Sequence, residues 1–228
     1  MKLFFSLLSF FLGFGCFLFG ENEKEIFKTV TPEFVGMDSK KLQWVDTKMN
    51  DLVANEKLVG GIVMVARQGK VAHFGTYGLR DREKNLPMEQ DTIFRIYSMT
   101  KAITSVAVLM LEEEGKLNLN DSISKYFPSL KKMKVLGRSG LIEPKREVTV
   151  ADLLRHTSGL TYAWSSQKEI REAHRDAGVL NRGTKLVPMV HGMSKIPLVF
   201  HPGSDWVYGC STDVLGGVVE VASGMPFD

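Results

Sequence analysis

The run TKAITSVAVLML, residues 100–111, constrains this chain more than any other stretch. Ala102, Ile103, Val106, Ala107, Val108, Leu109, Met110 and Leu111 put apolar side chains on nearly every face of a helix. A helix that is apolar all round needs cover all round, so it belongs inside a layered fold and not on its surface. Both ends are marked. The short extended run TIFRI leads in, and EEEGK closes it with Gly115 just past the last turn.

The remaining segments supply the layers. GGIVMVARQGKVAHFGTYGLRD holds two apolar runs, Ile62–Ala66 and Val71–Tyr77, split by the Gly-containing RQGK, which reads as a β-hairpin. Asp121 caps a short helix that Pro128 stops, and residues 129–147 read as loop or weak hairpin. A Thr149/Asp152 capping box opens another helix, with Gly159-Leu160 as its stop. Helices are expected near 166–177 and within TKLVPMVHGMSKIPLVFHPG, which ends in a Pro/Gly-rich exit. A last one lies in STDVLGGVVEVASG, capped by Ser211 or Thr212 and ended by Gly224. The expected class is α+β: an antiparallel sheet flanked by helices, with a mostly helical subdomain at about 117–205. One hairpin does not make a stable sheet, so further strands are needed.

Residues 1–20, MKLFFSLLSFFLGFGCFLFG, carry no charge after Lys2 and are followed by polar ENEKE. They read as a secretory signal. The apolar run is slightly long, so an uncleaved N-terminal anchor with membrane association is the rival. Cys16 as a lipoprotein cysteine is a third reading, disfavoured by Gly13 three residues before it and by the apolar FLFG after it. The expected location is therefore outside the cytoplasm: periplasm, cell envelope or medium. The folded domain is expected over 21–228.

The formal charge of +3 is small and scattered, which argues against a nucleic-acid partner. No protein partner can be inferred. If the signal is removed, Cys210 is the one remaining cysteine, and no internal disulfide can form. The five histidines are scattered without metal-ligand spacing, so neither a metal nor another cofactor is expected.

Serine chemistry is the remaining signal. A serine and a lysine three apart occur four times: Ser98/Lys101, Ser122/Lys125, Ser129/Lys132 and Ser165/Lys168. The spacing alone selects none of them. Ser98 differs because it stands where an extended run meets the start of the apolar helix. It either caps that helix or acts as a nucleophile whose oxyanion the helix N-terminus stabilises. Lys101 lies one turn on, on the same face. A cation there opposes the helix dipole and is costly to desolvate, which favours the neutral amine that a serine needs as a base. The competing reading has Lys101 snorkelling to solvent. No G-x-S-x-G elbow is present, and His156 falls in the last turn of its helix, where the dipole alone accounts for it.

Three stretches in combination carry a resemblance: FRIYSMTKAITSVAVLMLEEEGKLNLNDSISKYFPSL, VTVADLLRHTSGLTY and FHPGSDWVYGCSTDVLGGVVEVASGMPFD. From about Val35 onward the chain resembles the serine β-lactamase-like family, which contains class C β-lactamases, D-Ala-D-Ala peptidases and serine esterases. The resemblance implies an acylated serine at Ser98, with Lys101 and Tyr208 as its proton-handling partners. It places Cys210 at the third position of the Y-x-N element, where β-lactamases and peptidases hold an Asn that contacts the substrate amide. A cysteine lacks that donor and acceptor pair, which favours the esterase branch. Tyr162 and Trp164 are candidates for the pocket wall, with core packing as the alternative.

The family's third element, K-T-G or H-x-G, does not follow Tyr208. The chain is therefore expected to be the N-terminal part of a longer enzyme, with a β-lactamase/transpeptidase-like fold incomplete at its C-terminus. The implied function is a serine hydrolase acting on a small-molecule ester or amide. The alternatives are a β-lactamase or D-Ala-D-Ala carboxypeptidase, and a non-catalytic penicillin-binding module or inactive fragment.

Overall fold

A computed structural model describes residues 28–179 and 183–227. The expected signal or anchor, residues 1–20, lies outside the described residues. The described chain divides at Phe94/Arg95 into two compact units.

The first unit is a hairpin with a helix on it. Strands β1 (Gly60–Arg67) and β2 (Lys70–Asp81) pair antiparallel, from Gly60 opposite Gly78 to Arg67 opposite Lys70. The turn residues Gln68 and Gly69 both have positive φ, 53° and 69°, the backbone that matches strand twist in a two-residue hairpin. A short β3 (Leu86–Pro87) adds a third antiparallel strand. Helix α1 (Ser39–Ala54) packs on β2. Its N-cap Asp38 accepts from the N–H groups of Lys40 and Lys41 at 2.9 and 3.2 Å. The sequence reading missed α1, because no clean apolar stripe announces it.

The second unit is mostly helical: α2 (Thr100–Glu113), α3 (Val150–Arg155), α4 (Lys168–Ala177), α5 (Leu186–Met193) and α6 (Ser211–Ser223), with a small antiparallel hairpin of β4 (Val135–Gly137) and β5 (Gly140–Ile142). The mixed α and β class with antiparallel strands is as expected. The centre of this unit is α6, which packs against α2, α3 and α5. Val214, Leu215, Gly216, Gly217, Val218 and Val219 are all buried. A Cβ on Gly217 would lie 2.7 Å from Val190 and 3.0 Å from Phe127, so a bare backbone is what lets α5 approach this closely.

Three local expectations need correction. Helix α2 is not covered on all faces: Thr104, Val108 and Leu111 are buried, whereas Ile103 is 63% exposed and Val106 55%. In its own unit α2 meets α6 along one stripe only, and composition cannot report which stripe finds a partner. The turn before Pro128 is a 3-10 turn capped by Ser122, whose hydroxyl accepts from the Ser124 N–H at 3.2 Å, and not by Asp121. Helix α3 stops at His156, which takes the left-handed conformation (φ 57°) before Gly159 is reached.

Candidate active site

Ser98 lies on a 3-10 turn, Tyr97–Met99, ahead of α2. Tyr97, just before it, has φ 46°, a left-handed backbone that costs a non-glycine residue roughly 1 kcal/mol or more. The turn leaves Ser98 exposed. Met99 occupies the N-cap position of α2 and makes no side-chain cap, so Ser98 is not spent on capping the helix. Its Oγ lies 2.8 Å from the Tyr208 hydroxyl and accepts from Lys101 Nζ at 3.3 Å. The Lys101 ammonium also stands 4.6 Å from the centre of the Tyr208 ring. Lys101 beside the phenol, and then the Ser98 hydroxyl, hold Tyr208 below the ordinary tyrosine pKa.

Residues 110 positions apart meet here because the loop before α6 is built to a fixed shape. The HTSGL segment supplies the scaffold. Val207 N–H donates to the His156 carbonyl at 3.0 Å, and Gly203 N–H to the Thr157 carbonyl at 2.8 Å. Ser158 and Ser211 share a buried hydroxyl–hydroxyl bond of 2.9 Å. A Cβ on Gly209 would lie 2.2 Å from the Leu160 carbonyl oxygen, so the residue after Tyr208 has to be glycine for the two segments to touch. Asp152 anchors the other end. It is wholly buried, pairs with Arg146, bonds to Thr149 and Thr157, and completes the expected capping box.

His156 is no base for Ser98. Its ring packs against Tyr208 with centroids 5.1 Å apart and against Trp206 at 6.2 Å. Burial, and then the charge of Lys101, push its pKa down, which keeps it a neutral plate behind the tyrosine.

The other serine–lysine pairs are engaged in structure. Ser122 bonds to Ser124 and Glu147, and Lys125 pairs with Asp121 at 2.7 Å. Ser129 bonds to His191 Nδ1 at 2.9 Å. Ser165 accepts from the Gln167 N–H at 3.3 Å, while Lys168 faces Glu172 at 3.8 Å.

A cavity of about 520 Å³ opens beside Ser98. Lys101, Tyr208, Tyr162 and Trp164 line it. Tyr162 and Trp164 stack with centroids 4.2 Å apart, and Tyr162 lies 5.7 Å from Tyr208. Cys210 does not line it, which corrects its reading as a substrate contact. The residue is wholly buried and its thiol donates to the Thr161 carbonyl at 3.4 Å. A side chain on the core side of the α6 N-terminus cannot reach the cavity. Asp213, in the first turn of α6, does line the cavity and was missed. The signal was present: an aspartate beside a predicted cap, at the head of a run of valines and glycines.

The family model described as Beta-lactamase matches residues 45–228. Esterase EstB of Burkholderia gladioli is 36% identical over 185 residues, which cover 80% of this chain and 45% of the relative. The acyltransferase mokF of Monascus pilosus is 28% identical over 206 residues, covering 83% and 48%. Among solved structures, EstCE1, "a hydrolase with promiscuous acyltransferase activity", superposes with a TM-score of 0.70 at 27% identity, over 82% of this chain and 49% of that one. Unliganded simvastatin synthase LovD of Aspergillus terreus, as its selenomethionyl derivative, gives 0.65 at 28%, over 82% and 48%. The chain spans less than half the length of these relatives. Sequence match, fold and the convergence of the Ser98 turn with the Tyr208 loop agree: the chain belongs to the β-lactamase family.

Proposed function

We propose that this protein is a serine hydrolase that forms an acyl-enzyme at Ser98 and acts on small-molecule esters. The observation that carries the reading is the pair of short contacts at Ser98 Oγ, 2.8 Å to Tyr208 and 3.3 Å to Lys101. With Lys101 donating to Oγ, the Ser98 hydroxyl is free to donate to Tyr208. Ser98 Oγ attacks the ester carbonyl as its proton passes to the Tyr208–Lys101 pair. The tetrahedral adduct collapses when the pair returns that proton to the leaving alcohol, and the C–O bond to the alcohol breaks. Water then enters by the same route in reverse, and the acid departs as the Ser98 ester is cleaved. Lys101 and Tyr208 both contact Ser98 Oγ, so the roles of base and acid are assigned to the pair.

Esters are favoured over β-lactams by Cys210, the third position of the element that begins at Tyr208. A family member that holds its substrate amide needs a carboxamide there, and Cys210 is buried with its thiol on Thr161. The likeness to Esterase EstB points the same way. Residues 1–20 support export as part of this reading. N-terminal sequencing of the mature protein tests the export reading, and an intact Met1 in a soluble cytoplasmic fraction would remove it.

A fluorophosphonate probe on the full-length protein tests the central claim. Labelling should map to the peptide that contains Ser98 and vanish in Ser98→Ala. Labelling that persists in Ser98→Ala would overturn the assignment.

A further inference from the structure

Asp213 is a carboxylate that makes no direct ion pair among the described residues, although the charge of Lys101 reaches it. It lines the Ser98 cavity from the first turn of α6. Lys101, Tyr162, Tyr208 and Cys210 are the titratable groups that face it. Among the described residues no cationic nitrogen lies within 4.0 Å of it, and its hydrogen bond is to its own backbone N–H. Lys101 is held elsewhere, on Ser98 Oγ and over the Tyr208 ring. Asp213 is half-buried and makes no ion pair, so a cation that arrives with a ligand gains a partly desolvated carboxylate there.

The aromatic walls suit the same ligand. Tyr162 and Trp164 form a stacked pair, and Trp164 is 72% exposed. Aromatic faces beside a carboxylate attract ammonium groups by the ring quadrupole and by charge together. Tyr162 connects the two features, because its ring stacks on Trp164 and the Asp213 carboxylate acts on its hydroxyl.

We infer that this cavity selects esters carrying an ammonium-type cationic group, with Asp213 as counter-charge and the Tyr162–Trp164 pair as aromatic wall. Burial raises the Asp213 carboxyl, while its own N–H and the charge of Lys101 oppose that rise; a bound cation adds to the opposing side. The inference deepens the proposed function, and it rests on that reading only for the ester bond.

Binding in the full-length Ser98→Ala background tests it without turnover. The ligands are butyrylcholine and its neutral isostere 3,3-dimethylbutyl butyrate, titrated by calorimetry. The cationic ester should bind about tenfold more tightly. Adding Asp213→Asn should bring the two esters to within about twofold, and Asp213→Glu should retain a preference. Trp164→Ala, at an exposed position, should weaken the cationic ester severalfold even if Asp213→Asn fails to fold. Equal affinity for the two esters, a preference unchanged by both Asp213→Asn and Trp164→Ala, or no binding of either ester would each overturn the inference. A protein whose Ser98 takes no acylating probe, yet which binds the cationic ester selectively, would sink the hydrolase reading and leave the cation site standing.

Discussion

Helices α2 and α6 look alike as strings, fourteen and thirteen residues rich in valine, alanine and small side chains. They are buried very differently. In α6 six consecutive residues from Val214 to Val219 are inside, and Gly217 brings α5 and Phe127 against the backbone. In α2 only Thr104, Val108 and Leu111 are inside. The groups assigned to the proposed reaction and its cavity divide between the two. The Ser98 turn leads into α2 and Lys101 is in its first turn, while Tyr208 precedes α6 and Asp213 is in its first turn. The core helix fixes the loop that carries Tyr208. The half-covered helix needs only its first turn in register for Ser98 to meet it. Apolar composition therefore says which helices are wanted inside, and close contacts say which one is.

The largest effects should come from the pair of reactive groups that these helices bring together. Tyr208→Phe keeps the ring that packs on His156 and Tyr162 and removes only the hydroxyl on Ser98. The rate of Ser98 phosphonylation should fall about 10²- to 10⁴-fold, the usual worth of a positioned proton-transfer group. A loss below threefold would mean that Lys101 alone carries the proton.

Stability should separate the two helices next. Leu215→Ala in α6 should cost about 2–5 kcal/mol, read from the denaturant midpoint, because a closely packed site cannot collapse around the void. Gly217→Ala should cost about 1–3 kcal/mol by overpacking against Val190. Either change proving neutral would show that α6 is not the fixed element.

Acid should then loosen the α3 end of the scaffold. Burial alone would raise the Asp152 carboxyl, but the bonds from Arg146, Thr149 and Thr157 overcome that and hold it at about 2. A carboxyl lowered in the folded state stabilises fully above its unfolded value, about 3.9, and loses that contribution as pH falls through about 2. The contribution is roughly 2 kcal/mol. Melting temperature should therefore drop between about pH 4 and pH 2, and Asp152→Asn should flatten this part of the profile. An unchanged profile in Asp152→Asn would assign the acid sensitivity to other carboxylates.

The smallest effect belongs to the open side of α2. Ile103→Ala should change stability by less than about 0.5 kcal/mol, as at other exposed positions. A cost near that of Leu215→Ala would show that the Ile103 side of α2 is covered in solution.

Much of this was legible in the chain because it depends on neighbours in sequence. The β1–β2 hairpin follows from alternating apolar runs around a glycine turn, and the capping box of α3 from Thr149 and Asp152 three apart. Serine and lysine one turn apart at the head of an apolar helix likewise place Ser98 and Lys101 together without tertiary information. Tertiary structure alone decided the rest. Four serine–lysine pairs share one spacing, and what separates them is which hydroxyl is left to meet a tyrosine 110 positions away. Cys210, at the N-cap of α6, and Asp213, in its first turn, lie three apart, yet one faces the core and the other the cavity. Local backbone preferences fix spacing and caps over a few residues. Close packing of segments far apart in the chain fixes which side chain ends beside which, and the chemistry resides in that second kind of contact.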